Sequence, residues 1–374
     1  VHREPEIILI VALALTALGV VMVYSATNVL ALEQHGDSYY FLRREFVYLA
    51  LGLVAMAICA KLDYHLYEKY HWWILSASIV LLLLVFVPGI GYTAQGARRW
   101  INLRFFRLQP SELAKLVIVL YVSGCLVRRN RSVHKFTSGY LPPVTIVAVV
   151  TSLVLAERDL GFPAVMGVTA AAVLFIGGAK LVYLMLSGLA AGPLFTLLVL
   201  LDEERRRRIL AFLDPWGCLQ HDGWQLAQAL VAFGTGGTWG RGIGRSVQKL
   251  YYLPAAHTDF IFAIIGEELG MIGTWSVVAL FVIYAVVGMR IAANAADLYG
   301  TLVAFGLTAM ISFQAALNMA VATGLVPTKG LPLPFVSYGG NSLIVSLAAT
   351  GIIINIGLQG VKARREEMAE PSRL

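Results

Sequence analysis

Residues 253–260 read Leu253-Pro254-Ala255-Ala256-His257-Thr258-Asp259-Phe260, so an imidazole, a hydroxyl and a carboxylate fall on three successive positions. Asp259 lies where a long polar stretch gives way to an apolar run, which makes it a candidate general base at a membrane interface. Capping of the following helix, by Asp259 or by Thr258, is the competing use of the same residues. That helix's dipole would favour the carboxylate, whereas Phe260 and Phe262 would disfavour it. His257 could carry a proton beside Asp259 or serve only as a hydrogen-bonding residue. Cations able to hold an anion stand in other polar stretches, at Arg99, Lys249 and Lys329. Arginine offers phosphate a two-pronged fork and lysine a point charge. Asp159, at the end of an apolar run, could orient one of them. Glu112 and Lys115 are three residues apart and can touch on one helix face. They read equally as an intrahelical ion pair or as substrate contacts. Glu267 and Glu268 follow one another, so they point in different directions and are read as structural. A base for a hydroxyl proton and cations for a departing phosphate are the two needs of group transfer from a phosphate leaving group.

The elements that must position these groups are membrane helices. The 374 residues are 58% hydrophobic and only 14% charged, against roughly 25% charged in soluble domains. The charges cluster between apolar runs, several of which approach the roughly 20 residues needed to cross a bilayer. The runs are 6–26, 45–60, 72–88, 112–127, 141–156, 162–178, 181–201, 260–288, 300–324 and 341–360. Their length and lack of strict alternation fit helices rather than barrel strands. The first is read as a retained span, since it is longer than the apolar region of a signal peptide. The expected fold is therefore all-α, one polytopic membrane domain over 1–374 with about ten transmembrane helices and a large extracytoplasmic loop, 202–259, between spans seven and eight.

An even number of spans puts both termini on one side. Lys362, Arg364, Arg365 and Arg373 in the tail 361–374, with Arg128, Arg129, Arg131 and Lys135 in the loop 128–140, place that side in the cytoplasm. The outer side then still carries Arg98, Arg99, Arg104, Arg107, Arg241, Arg245, Lys249 and Lys329, more than topology alone requires, so either the orientation is inverted or these charges serve a purpose, and the second reading is preferred. The four arginines at 205–208 are assigned to anionic lipid headgroups or solvent. The glycines of 234–244 match no nucleotide-loop spacing and are expected to allow close backbone packing. Cys59, Cys125 and Cys218 suggest neither a disulfide framework nor a metal site, and a divalent cation is left open.

Four segments carry a resemblance. They are Arg98-Arg99-Trp100-Ile101-Asn102 with Gln109-Pro110-Ser111-Glu112-Leu113-Ala114-Lys115; Asp159-Leu160-Gly161; Leu253 to Phe262 with Gly266-Glu267-Glu268-Leu269-Gly270; and Pro327-Thr328-Lys329-Gly330-Leu331-Pro332-Leu333-Pro334-Phe335-Val336-Ser337-Tyr338-Gly339-Gly340-Asn341. Together they closely resemble the shape, elongation, division and sporulation (SEDS) family, with its FtsW-like and RodA-like branches. Gly242-Ile243-Gly244-Arg245-Ser246-Val247-Gln248-Lys249 and Pro327-Thr328-Lys329-Gly330 favour the FtsW-like branch. Glu157-Arg158-Asp159 replaces the more usual Pro-Asp, and Asn341 stands where Ser is common.

The resemblance implies a ten-span peptidoglycan glycosyltransferase of the bacterial cytoplasmic membrane. It would polymerise lipid II at the outer face and work with a class B penicillin-binding protein. Asp259 would be the catalytic residue, with Arg99, Glu112, Lys115, Asp159, Lys249, His257, Lys329 and Ser337 around the substrate. Membrane lipids are the other expected partners; nucleic acid is not. A lipid II flippase or transporter is the rival reading, because it would share the many spans, buried charges and broken helices. A scaffold that only anchors an enzyme is a third.

Overall fold

The computed structural model describes residues 3–94, 97–102, 107–129, 133–219, 223–250 and 252–369. Arg104, Arg131 and Arg373, which bear on the charge balance above, lie outside the described residues, as does Tyr251. Each of the ten apolar runs is a helix: α1 (Glu4–His35), α2 (Tyr40–Lys61), α3 (His65–Leu84), α4 (Pro110–Arg128), α5 (Leu141–Ala156), α6 (Gly161–Ile176), α7 (Leu181–Leu200), α10 (Ile261–Ala293), α11 (Leu298–Ala322) and α12 (Gly340–Ala369). The long polar stretch before α10 folds into two further helices, α8 (Glu203–Leu213) and α9 (Gly223–Gly236). Among the described residues, six helices are long and apolar enough to cross a membrane by length and composition.

Helix ends follow local chemistry. Pro110 opens α4 at a position whose N–H has no helical partner in any case. Gly36 closes α1 with φ 69°, its N–H donating to the Leu32 carbonyl at 2.9 Å. Asp202 caps α8, accepting from the N–H groups of Glu204 at 3.1 Å and Arg205 at 3.3 Å.

The core runs along α4, which is buried almost all round by α3, α6 and α11. On one side α10 packs on α1, α9 and α11, and α12 packs along α2. α7 differs: apart from Val199 its described side chains are partly or fully exposed, including Leu186, Leu189 and Leu197. Large apolar side chains also face outward at Trp73, Val54 and Trp275. So much outward apolar surface is what a protein solvated by lipid presents.

A small antiparallel sheet was not anticipated from sequence. β1 (Gly91–Ala94), β2 (Ala97–Asn102) and β3 (Arg107–Leu108) lie in that order, with Tyr92 opposite Trp100 and Ile101 opposite Leu108. Its strands are short and rich in charge, so they lack the apolar alternation that signals a strand. Described residues of the connections 84–110, 157–160, 201–260 and 323–339 converge at one end of the bundle. At the opposite end, Tyr64 and His65 reach Asp297 at 2.9 and 2.6 Å, and Gln359 reaches Asp63 at 3.1 Å.

Candidate active site

Asp259 is presented by a tight turn. Ala255 adopts φ 54°, unusual for a residue with a Cβ, and its carbonyl accepts the N–H groups of Thr258 (3.1 Å), Asp259 (3.1 Å) and Phe260 (3.3 Å). The carbonyls of His257, Thr258 and Asp259 are claimed by a single wall. Tyr338 N–H donates to His257 O at 2.9 Å, Ser337 Oγ to Thr258 O at 2.5 Å, and Asn318 Nδ2 to Asp259 O at 2.8 Å. Asn318 Nδ2 also donates to Leu331 O at 2.6 Å, which ties α11 to the same wall. The Pro- and Gly-rich stretch 327–339 is therefore a brace for the turn. Non-helical backbone at such a depth is tolerated where it lines a cavity.

The carboxylate itself is left out of this bonding. It does not cap α10, and among the described residues no group donates a hydrogen bond to it. Gly330 makes the space it occupies, since a Cβ there would sit 3.1 Å from Asp259 Oδ2. Burial pushes its pKa up to about 7, the negative charge of Asp159 adds to that, and Arg99 and Arg208 oppose it. The capping alternative is thereby excluded, and the group sits in the range of a working base.

Asp259 lines a cavity of about 1210 Å³ together with Arg99, Glu112, Asp159, His257 and Lys329. Six of the nine residues singled out in the sequence thus meet in one place. Arg99 forms a fork: Nη1 lies 3.3 Å from Asp159 Oδ2, Nη2 donates to Arg158 O at 2.8 Å, and Nε to Glu157 O at 3.3 Å. Asp159 uses its other oxygen on the N–H groups that start α6, Gly161 at 2.9 Å and Phe162 at 3.4 Å. Burial lowers the Lys329 pKa, and Asp159 works against that shift. Burial pushes His257 down to about 4, so at neutral pH its ring is uncharged. It rests against Phe41 and Tyr338. Glu157, buried beside Asp159, is pushed up to about 8 by burial and by that neighbour's charge, so it is held protonated.

The remaining three residues stand behind or apart from the cavity. Lys115 pairs with Glu112 at 2.6 Å, as the i, i+3 spacing predicts, and also bonds Gln314 of α11. It anchors Glu112 from behind. Ser337 braces the turn and donates no bond into the cavity. The expectation for Lys249 needs correcting. Its Nζ is buried against Glu268 Oε1 (3.1 Å), Ser25 Oγ (3.1 Å) and Gly244 O (2.8 Å), away from the cavity. Its charge is already matched inside the protein. Arg241 is likewise taken by Glu267 at 3.3 Å.

Sequence reasoning also misplaced part of the arginine run. Arg205 and Arg208 line the cavity, with Asp202 and Glu204 beside them. Residues three apart share one face of α8, so 205 and 208 both border the cavity and are partly covered, while Arg206 and Arg207 are exposed. Helical spacing within the run was the signal available. Among the described residues, no group of three His, Cys, Asp or Glu side chains is placed to hold a metal ion.

The chain is 45% identical over 356 residues to a protein of Geobacter sulfurreducens named probable peptidoglycan glycosyltransferase FtsW, covering 95% of each chain. It is 41% identical over 357 residues to the protein of that name from Coxiella burnetii, covering 94% of this chain and 95% of the other. Its fold matches a chain in a structure of a peptidoglycan synthase complex that coordinates polymerization and crosslinking. There the TM-score is 0.75 at 28% identity, covering 94% of this chain and 96% of the other. It also matches the rod shape determining protein RodA of Thermus thermophilus, with a TM-score of 0.70 at 26% identity, covering 94% and 95% of the two chains. With the family's profile matching residues 5–361, the chain belongs to the FtsW/RodA/SpoVE family of cell cycle proteins.

Proposed function

We propose that this protein is a peptidoglycan glycosyltransferase that polymerises lipid II at the outer face of the bacterial cytoplasmic membrane, with Asp259 as general base. The observation that carries the reading is a carboxylate without hydrogen-bond donors among the described residues, on the wall of a large cavity whose other walls supply Arg99, Lys329 and Arg208. A sugar hydroxyl gives its proton to Asp259 as its oxygen bonds the anomeric carbon of the donor. The bond from that carbon to the lipid pyrophosphate breaks, and the leaving group's new charge falls to the basic side chains. A pKa near 7 keeps a useful fraction of Asp259 ionised at neutral pH. Glu112, held by Lys115, is a further polar wall for the sugars.

Ten membrane crossings, with both termini and the loop 128–140 in the cytoplasm and 202–259 outside, fit the convergence of the cavity-lining connections at one end. Single cysteines placed at 205–208 and at 362–365 then label from opposite sides of intact cells; labelling from one side would sink this topology. The synthase complex among the fold's relatives supports a class B penicillin-binding protein as partner, one that crosslinks the strands made here.

The deciding assay is gel analysis of labelled lipid II incubated with purified protein in detergent. Wild type is expected to give long strands and Asp259→Asn none, with both forms folded. A wild type that makes no glycan would instead favour a transporter, since detergent leaves no membrane to cross.

A further inference from the structure

Among the cations around the cavity, Arg208 is held by an exposed ion pair. Its Nη2 lies 2.5 Å from Glu204 Oε1, an i, i+4 pair on α8 with both side chains substantially exposed. The neighbouring pair is different. Asp202 meets Arg205 at 3.2 Å and also caps α8 through two N–H bonds, so moving it would loosen the helix. Glu204 has no such second duty, for Arg208 is its one side-chain partner among the described residues. Exposed helical ion pairs contribute little to stability, so exchanging this one costs little. α8 buries only Ala211 and follows the exposed α7, so little packing opposes a shift of its side chains.

We infer that Glu204 is a built-in substitute for the anionic part of the substrate, holding Arg208 at the cavity wall until a pyrophosphate displaces it. The inference rests on the glycosyltransferase reading only for the identity of that anion. A guanidinium paired to a carboxylate is kept extended and near its working position. An incoming diphosphate offers more oxygens than the carboxylate it replaces and can accept both prongs of the fork. A single phosphate offers fewer and competes less well. Glu204 thus competes with any anion that takes Arg208, and it is a positioning residue rather than a catalytic one. Once released, Glu204 faces water, where its charge is cheap to keep.

The test is calorimetric titration of the purified full chain with inorganic pyrophosphate and with inorganic phosphate. Glu204→Gln is expected to tighten both by a similar factor, about twofold or more. Arg208→Ala is expected to weaken pyrophosphate by roughly tenfold or more, with Arg208→Lys between it and wild type. In the Arg208→Ala background the Glu204 change is expected to have no further effect. Arg206→Ala, which removes the same charge from the exposed face, is expected to leave both titrations unchanged. Unaltered or weaker binding in Glu204→Gln would overturn the inference. So would equal tightening with and without Arg208, which would mark a general charge effect. Because the readout is binding, it stands even if the wild type makes no glycan, an outcome that would defeat the proposed function alone.

Discussion

Asp259 and the Glu267–Glu268 pair lie within ten residues of each other, yet the fold treats their carboxylates in opposite ways. Glu267 accepts from Val247 N (3.0 Å) and Gln248 N (3.2 Å), from the Ser246 hydroxyl, and from Arg241 (3.3 Å). Glu268 accepts from Ser25 Oγ (2.7 Å), Ser246 N (3.3 Å) and Lys249 Nζ (3.1 Å). Both side chains are fully buried, and every one of their oxygens is used. Their role is to knot α1, α10 and the glycine-rich stretch together. There Gly240 approaches so closely that a Cβ would lie 2.2 Å from Glu268 O. Asp259 has the reverse arrangement, its backbone bonded throughout and its carboxylate kept for the cavity. A buried carboxylate saturated with donors is a fastener, and one denied donors is available for a proton.

The comparison breaks most directly at Asp259. Asp259→Asn keeps the size and removes the basic group, so polymerisation is expected to fall by about 10²–10⁴-fold while thermal unfolding of the purified protein stays near wild type. A strand yield equal to wild type would assign the base elsewhere. The knot should answer in the opposite currency. Glu268→Gln leaves Lys249 buried without a counter-charge, which typically costs about 3–5 kcal/mol, so a lowered Tm and poor yield are expected before any specific loss of turnover. Adding Lys249→Met should restore much of that stability. Were the double variant stable but inactive, the knot would have to take part in chemistry.

A smaller effect concerns pH. A base must be ionised to act and burial raises Asp259 to about 7, so with Asp259 in the proposed role kcat/KM should rise with pH and level off above about 7. Arg208 lowers that pKa, so Arg208→Ala should move the rising limb to higher pH. Glu267 and Glu268 variants that fold should leave the limb in place. The smallest effect is steric. In Gly330→Ala the new methyl would stand 3.1 Å from Asp259 Oδ2, which asks for a shift of a few tenths of an ångström. A reduction of turnover by a few-fold is expected, with lipid II KM little changed.

Parts of the candidate site were legible where local sequence marks them. The Glu112–Lys115 pair follows from helical spacing, and Asp259 stands at a visible boundary between polar and apolar sequence. Lys249 and Lys329 were not separable that way. Both are single lysines in Gly-rich polar stretches, and only their places in space differ: Lys249 is buried against Glu268 and Ser25, whereas Lys329 lines the cavity. Arg205 and Arg208 were lost within a run of four arginines, because solvation of the whole run looked sufficient until α8 turned one face inward. The three-stranded sheet escaped notice because its strands are too short to show a period.

The sequence by itself determined that this is a helical membrane protein, since apolar runs of bilayer length have no other way to satisfy their backbone. It also marked which segments gather ionisable groups beside apolar runs, where such groups are costly unless paired or used. Tertiary structure alone decided which carboxylate is free to act. Saturation of Glu268 depends on Ser25, 243 residues earlier in the chain. The openness of Asp259 depends on a brace from α11 and the stretch 327–339 that claims the backbone and leaves the side chain alone. A hydrogen bond is a short-range relation in space, and no spacing along the chain records which distant donors will arrive.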